Sequence, residues 1–501
     1  MPGPIMATTP CDLLVIGGGI NGAGIARDAA GRGLTVVLVE RDDLAAHTSS
    51  ASTKLIHGGL RYLEYYELRL VREALMERER LLAIAPHIAW PLRFVLPQPP
   101  GGRPGWLIRL GLFLYDHLGG RGTLPGSESV RLAGSPLGAG LKPGVIRGFA
   151  YSDCWVDDAR MVVLNALDAA ERGATILTRT SMVAAAHDGE RWNATIEDAA
   201  GRRTIAARAI VNAAGPWVHG VLDRVTGAAA EPPPRLVKGS HIVVRRLFEG
   251  EHAYILQNVD RRIVFAIPYE RDFTLIGTTD IAWSEEAGPP AASAAEVTYL
   301  CDAVNAYLAK PIGPGDVVHS YAGVRPLYDD GRADASAVTR DYVLRPGGAD
   351  APGLLSVFGG KITTYRRLAE HALEQLGDVL PPMGDRWTDR VPLPGGDLPG
   401  RDADAYIDTT RRQWPFLSDH DARRLVRSYG TRVGQILGEA QAWGQLGEDF
   451  GGGLTAAEVD YLVATEWART AEDILWRRSK IGLHTGAATA AALATYLERR
   501  A

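Results

Sequence analysis

Between Asp12 and Glu40 the chain passes through a short apolar stretch, a glycine-rich turn, an alanine-rich helical stretch and the β-branched run Thr35–Val39. That order predicts one strand–helix–strand unit. A charged pattern of helical period follows from about Glu64 to Ala85, stopped by Pro86. The region Pro97–Pro143 is punctuated by proline and glycine and holds one apolar segment, Trp106–Leu118. Further apolar runs near Val211, Ile242, Ile263, Leu275 and Leu354 predict strands, several joined as hairpins. Gly227–Pro234 and Ala287–Ala295 read as surface loops within one large mixed domain. The Pro/Gly-rich run Val391–Gly400 reads as a boundary, because the pattern beyond it is helical to the end of the chain.

A length of 501 residues exceeds what one hydrophobic core fills, so two or three packed units are expected. With 46% hydrophobic and 23% charged residues the composition is that of a globular protein, and wholesale disorder is excluded. The net charge of −5 offers no footprint for a polyanion, so nucleic acid is not an expected partner. Cys11, Cys154 and Cys301 show neither paired nor metal-ligand spacing, which predicts a reducing compartment and no structural metal. The stretch before Cys11 lacks a basic start and an apolar core, and no run of about 18 uncharged apolar residues occurs. The expectation is an intracellular chain without a spanning helix.

Gly17, Gly19 and Gly22 form G-x-G-x-x-G directly after a predicted strand and at the start of a helix. Glycine lets the backbone come close to a pyrophosphate, whose charge the free N–H groups of the helix N-terminus stabilise. Glu40 ends the second strand, where a carboxylate can accept hydrogen bonds from ribose hydroxyls. The motif alone leaves FAD and NAD open. Thr204–Gly215 is an apolar strand ending in small residues, where backbone can approach a cofactor. In Leu354–Tyr365 a strand, two glycines, Lys361 and threonines open an amphipathic helix. A second helix N-terminus with Lys361 would stabilise negative charge on a reduced flavin, which tilts the choice to FAD.

These segments, with TSSASTKLIHGGLRYLE at Thr48–Glu64, resemble the FAD-dependent glycerol-3-phosphate dehydrogenase family, a branch of the D-amino-acid-oxidase-like flavoproteins. The resemblance also takes in YSDCWVDDAR at Tyr151–Arg160, KGSHIVV at Lys238–Val244, IGTTD at Ile276–Asp280, GVRPL at Gly323–Leu327 and TRDY at Thr339–Tyr342. It implies a mixed α/β fold. A Rossmann-like FAD-binding domain would carry an antiparallel-sheet substrate domain, followed by a C-terminal helical domain at 391–501. Within a catalytic region of 11–390, cofactor parts are expected at about 11–90, 150–225 and 320–380, and substrate parts at about 91–149 and 226–319.

The resemblance implies noncovalent FAD, sn-glycerol 3-phosphate as substrate and a membrane quinone as electron acceptor. It also implies a peripheral place on the inner face of the cytoplasmic membrane, and it is compatible with a homodimer. Arg61 and Arg340 match positions at the substrate phosphate, with Tyr62 beside Arg61, and Lys361 is expected near both substrate and flavin. Arg325 matches the position nearest the reacting carbon, where a cation would stabilise a developing alkoxide. His241 is the best general base for the C2 hydroxyl, since an imidazole can take a proton near neutral pH. Cofactor contacts are expected from Gly17, Gly19, Gly22, Glu40, Ser49, Ser50, Ser52, Lys54, His57, Gly215, Gly360, Lys361 and Thr363.

Four rivals stand beside this reading, one of them a flavoprotein that binds its ligands without catalysing a reaction. An oxygen-using glycerol-phosphate oxidase of the same family often carries an extra insertion, for which no spare segment is found. An amine or amino-acid oxidase would want one arginine and an apolar pocket rather than several cations. A methyltransferase also uses a glycine-rich turn and an acidic second-strand end.

Trp106–Leu118 is too short to span a bilayer but carries a broad apolar face. With a quinone as acceptor, it is expected to lie in the membrane interface with a wet polar stripe through Arg109 and Asp116; the alternative is a buried core helix.

Overall fold

The computed structural model describes residues 6–99, 104–120, 122–228, 231–260, 262–285, 288–328 and 341–500. Two large sheets organise them. The first grows from the strand–helix–strand unit: Met6–Ile16 and Val36–Val39 run parallel, with Ile16 opposite Val39. Across this sheet the order is Val343–Pro346, Leu354–Phe358, Gly201–Asn212, Met6–Ile16, Val36–Val39 and Thr175–Leu177. A parallel sheet needs both faces covered, and the period of two in a strand divides its residues between them. Leu13 and Val15 join the core beneath the helices Ile20–Gly31, Asp158–Glu171 and Tyr365–Gln375. Leu14 and Ile16 face the opposite core, which contains Trp192, Val218 and Val221.

The second sheet is antiparallel except for the pairing of Ala253–Gln257 with Ala89–Gln98. Its path runs Ile281–Ala282, Arg235–Arg245, Phe273–Gly277, Ile263–Tyr269, Ala253–Gln257, Ala89–Gln98, Arg147–Val156 and Leu55–Ile56. Val317–Leu327 pairs with residues 235–244, so the expected division at residue 320 cuts through a strand of the antiparallel sheet. The same sheet takes in Leu55–Ile56 and the segment 150–156, both expected in the cofactor part. Pairing partners far apart in sequence decide this allocation, and periodicity does not reveal them.

The expected helix from Glu64 is broken. A tight turn, Leu60–Tyr65, comes first, and the α-helix runs Leu68–Ile84. Tyr66 between them sits in the left-handed region at φ 59°, which no helix continues through.

Helix Gly105–Leu118 buries only Leu112 and Tyr115. The Tyr115 hydroxyl accepts from Gly58 N–H and donates to Asp153. Arg109 donates to Ser127 and Asp116 accepts from the Ser127 N–H and hydroxyl, while Arg109 and His117 stay exposed. Trp106, Leu107, Leu110, Phe113 and Leu114 are exposed, Trp106 to 70%. The alternative of a buried core helix is thereby overturned.

Beyond residue 400 the chain is helical, with one short pair of strands, Asp449–Gly451 and Leu454–Thr455, and a core of its own. Buried ion pairs dock it on the first sheet: Arg478 with Asp43, and Arg160 with Glu466. Among the described residues no helix is long and apolar enough to cross a membrane.

Candidate functional site

A cavity of about 960 Å³ opens at the carboxyl ends of the parallel strands and extends along the antiparallel sheet. Ligands of open α/β sheets bind at that edge of the strands. Gly17, Gly18, Gly19, Ile20 and Asn21 form its floor. Gly17 has φ 110°, and a side chain there would strike the Ala213 carbonyl at 2.5 Å. The helix N-terminus at Ile20 receives the Ser49 hydroxyl, which accepts from Ile20 N–H at 3.0 Å. Glu40 accepts from the N–H groups of Gly18 and Asp42 at 2.6 and 2.8 Å, and burial pushes its carboxyl up.

Past Glu40 the cavity wall holds Arg41, His47 and Trp217. The Arg41 guanidinium lies 4.0 Å over the Trp217 ring, and the His47 ring meets that ring edge-on at 4.5 Å. Aromatic and guanidinium faces of this kind suit a flat heterocycle. Asn21 donates to the Gly359 carbonyl, while its Oδ1 is buried without a partner among the described residues. An orphaned acceptor beside a glycine-rich turn and the Glu40 carboxylate fits a dinucleotide in this cavity.

The far end lies against the antiparallel sheet. His241 is buried on Arg235–Arg245, opposite Gly277 on one neighbouring strand and Tyr321 on the other. Its ring stacks on Tyr321 with centroids 4.9 Å apart. Burial, reinforced by the positive charges of Lys54 and Arg325, holds it down at about 3, so the imidazole is neutral at physiological pH. Room for the ring comes from Gly277, where a Cβ would stand 2.1 Å from His241 Cδ2. Gly239 does the same for Arg325, whose Nη2 would lie 3.2 Å from a Cβ there. Arg325 donates to Asp280 at 2.6 Å and to the Thr279 carbonyl at 3.3 Å.

Tyr62, His57, Gly360, Lys361 and Thr363 complete this end. Lys361 Nζ stands 4.0 Å over the Tyr62 ring. His57 N–H donates to Thr363 Oγ1 at 3.3 Å, and burial, then Lys361, lowers its imidazole to about 4. The α-helix after this segment begins at Tyr365, so Lys361 sits in the turn ahead of it and not at its first residue.

Of the residues expected at the site, Gly17, Gly19, Glu40, Ser49, Ser52, His57, Tyr62, Gly215, His241, Arg325, Gly360, Lys361 and Thr363 line the cavity. Four do not. Gly22 is a packing glycine whose Cβ would collide with the Gly17 carbonyl at 1.9 Å. The Ser50 hydroxyl turns back to the His47 carbonyl. Lys54 is buried, its ammonium given to Asp158 at 2.7 Å and to the Ser50 carbonyl. Arg61 is half-buried beside Tyr62 but off the cavity wall. Arg340 lies outside the described residues. Asn21, Thr53, Trp217 and Asp280 line the cavity without having been expected there; Trp217, directly after the small-residue end of a predicted strand, carried the clearest signal.

A glycine turn on a parallel sheet, an acidic second-strand end and a second cavity wall from an antiparallel sheet fit a dinucleotide-dependent oxidoreductase. The chain belongs to the FAD-dependent oxidoreductase family: residues 12–366 match the family described as "FAD dependent oxidoreductase", and 386–499 match "C-terminal domain of alpha-glycerophosphate oxidase". Its cofactor is FAD. It is 54% identical over 489 residues to a glycerol-3-phosphate dehydrogenase of Pseudomonas aeruginosa, covering 97% of this chain and 95% of the relative. It is also 54% identical over 490 residues to a D-erythritol 1-phosphate dehydrogenase of Brucella abortus, covering 97% and 98%. Among solved structures, the glycerol-3-phosphate dehydrogenase from Bacillus halodurans complexed with FAD is similar at a TM-score of 0.73 and 28% identity, over 95% of this chain and 86% of that one.

Proposed function

We propose that this chain oxidises sn-glycerol 3-phosphate at C2 to dihydroxyacetone phosphate and passes the electrons to a membrane quinone. The observation that carries the reading is the grouping of neutral His241 with the cations Arg325 and Lys361 at one end of the cofactor cavity. A phosphorylated secondary alcohol needs that combination of base and positive charge, and a lone carboxylate clamp would not. The FAD, when bound, supplies the acceptor for the hydride leaving C2. His241 takes the hydroxyl proton, and Arg325 stabilises the oxygen as charge develops. Lys361 and Tyr62, with Arg340 by the resemblance, receive the phosphate. Gly17 and Gly19 admit the pyrophosphate to the backbone, and Glu40 holds ribose hydroxyls.

The catalytic region is 11–390, with the helical domain at 391–501. Attachment to the inner face of the cytoplasmic membrane is supported by helix Gly105–Leu118, whose exposed Trp106, Leu107, Leu110, Phe113 and Leu114 follow helical spacing on one side. The equal identity to the Brucella relative favours a second reading, a four-carbon polyol phosphate as substrate.

Mixing the holoenzyme anaerobically with each phosphate tests the substrate. Glycerol 3-phosphate is expected to bleach the flavin band and a soluble quinone analogue to restore it faster than oxygen does; bleaching by D-erythritol 1-phosphate alone would transfer the assignment. Lipid vesicles are expected to carry the wild type down on sedimentation and to leave Leu110→Asp/Phe113→Asp in solution with its flavin reduction intact. Equal sedimentation of the two proteins would remove this helix as the anchor.

A further inference from the structure

Thr53 lines the same cavity as His241, and its Oγ1 lies 2.9 Å from His241 Nε2. The other ring nitrogen, Nδ1, is sealed from solvent with no hydrogen-bond partner among the described residues. That leaves Nε2, beside Thr53, as the nitrogen through which the ring exchanges a proton. The ring plane is set from behind by Tyr321, stacked at an interplanar angle of 18°. The Tyr321 hydroxyl donates to the Ser52 carbonyl at 3.0 Å. Ser52 thus fixes the backing of the imidazole while its neighbour Thr53 meets the edge.

The backbone on both sides of Thr53 is fixed in turn. Ser52 donates through its N–H and its hydroxyl to Asp158 Oδ2, at 3.2 and 2.7 Å. Lys54 donates to the other oxygen of the same carboxylate and to the Ser50 carbonyl. Lys54 adopts the left-handed conformation at φ 59°, which costs a non-glycine residue about 1–2 kcal/mol. The buried pair with Asp158, in the first turn of helix Asp158–Glu171, holds it there. Backbone strain maintained by a buried network in the wall of a site points to a geometric demand on that wall.

We propose that Thr53 is the positioning residue for His241: its hydroxyl donates to the Nε2 lone pair, selects the tautomer protonated at Nδ1, and yields that lone pair to the C2 hydroxyl of the substrate. The inference rests on His241 being the base. The substrate O–H proton passes to Nε2, producing an imidazolium, as the hydride leaves C2 for the flavin. Without Thr53 the ring keeps its backing but loses the contact that aims its edge, and the other tautomer, with no lone pair on Nε2, becomes populated. A donor to a neutral imidazole also favours the neutral form, so its removal raises the pH at which the base is lost.

Anaerobic stopped-flow reduction of the holoenzyme by glycerol 3-phosphate tests this with Thr53→Val, Thr53→Ser and His241→Ala. Thr53→Val is expected to lower the limiting rate by roughly 10-fold or more, toward the 10²-fold at the low end of general-base effects, with substrate affinity little changed. Its acid limb should move to higher pH, and Thr53→Ser should restore both rate and profile. Thr53→Ala repeats the test if the valine variant fails to hold flavin. A wild-type limiting rate and pH profile in a flavin-replete Thr53→Val or Thr53→Ala, with His241→Ala slow, would overturn the role of Thr53 alone. A wild-type rate in His241→Ala would overturn the base assignment beneath it.

Discussion

Arg478 holds both carboxylate oxygens of Asp43, at 2.6 and 2.8 Å, and neither side chain is more than 2% exposed. Arg477 adds a third bond to Asp43 at 2.7 Å. Asp43 opens the loop whose residues Ala45–Ser49 line the cofactor cavity, whereas Arg478 belongs to the helical region at the other end of the chain. The helical region therefore braces a loop of the cavity wall. Removing one member of such a pair strands a buried charge, which costs about 3–5 kcal/mol. Asp43→Asn is expected to lower the urea midpoint accordingly and to weaken FAD retention, with Asp43→Asn/Arg478→Met recovering part of the loss. An unchanged midpoint in the single variant would show that the pair braces nothing.

Gly277 bears on the chemistry through space alone. A methyl group there would occupy the His241 ring position, so Gly277→Ala must turn the imidazole away from the cavity. Flavin reduction is expected to slow by roughly the 10²- to 10⁴-fold of a lost general base, with FAD still bound. Rapid-mixing kinetics at saturating glycerol 3-phosphate measures this, and a limiting rate equal to wild type would mean that the His241 orientation is not critical.

The cofactor end was legible in the sequence because its signals are local. Gly17, Gly19 and Glu40 fall within one strand–helix–strand unit, and their spacing alone brings them together. His241 and Arg325 were legible only through resemblance, since no periodicity singles out a histidine or an arginine on a strand. The glycines that make room for them, Gly277 and Gly239, act across strand pairings that appear only once the sheet is assembled. Lys54, expected at the cofactor, is misplaced for the same reason: nothing in a serine-rich loop shows that Asp158, distant in sequence, pairs with it. The Trp106–Leu118 pattern gave the helix but not its orientation, which Tyr115 and Ser127 decide.

Buried histidines make stability depend on pH. His87 is fully buried, and burial, then the nearby charges of Arg160 and Arg427, lower it to about 3. The unfolded chain binds this proton near the ordinary value of about 6.5, the folded chain only near 3, so the unfolded state gains protons first on acidification. The stability that this difference affects is intact above about 6.5 and drains away as pH falls, by about 1.4 kcal/mol per unit until the folded value is reached. His87→Gln removes the titration. From pH 7 to pH 5 the wild type is expected to lose about 2 kcal/mol more than the variant in urea unfolding. Parallel losses in the two proteins would show that His87 is protonated in the folded state.

Deuterium at C2 of glycerol 3-phosphate tests most directly whether this cavity sets that carbon against the flavin for hydride transfer. Mixed anaerobically at saturating concentration, the deuterated substrate should bleach the flavin band severalfold more slowly than the protiated one, to the same end point. No bleaching with either substrate, or bleaching of the flavin by a substrate whose C2 deuterium is retained in the product, would contradict the account.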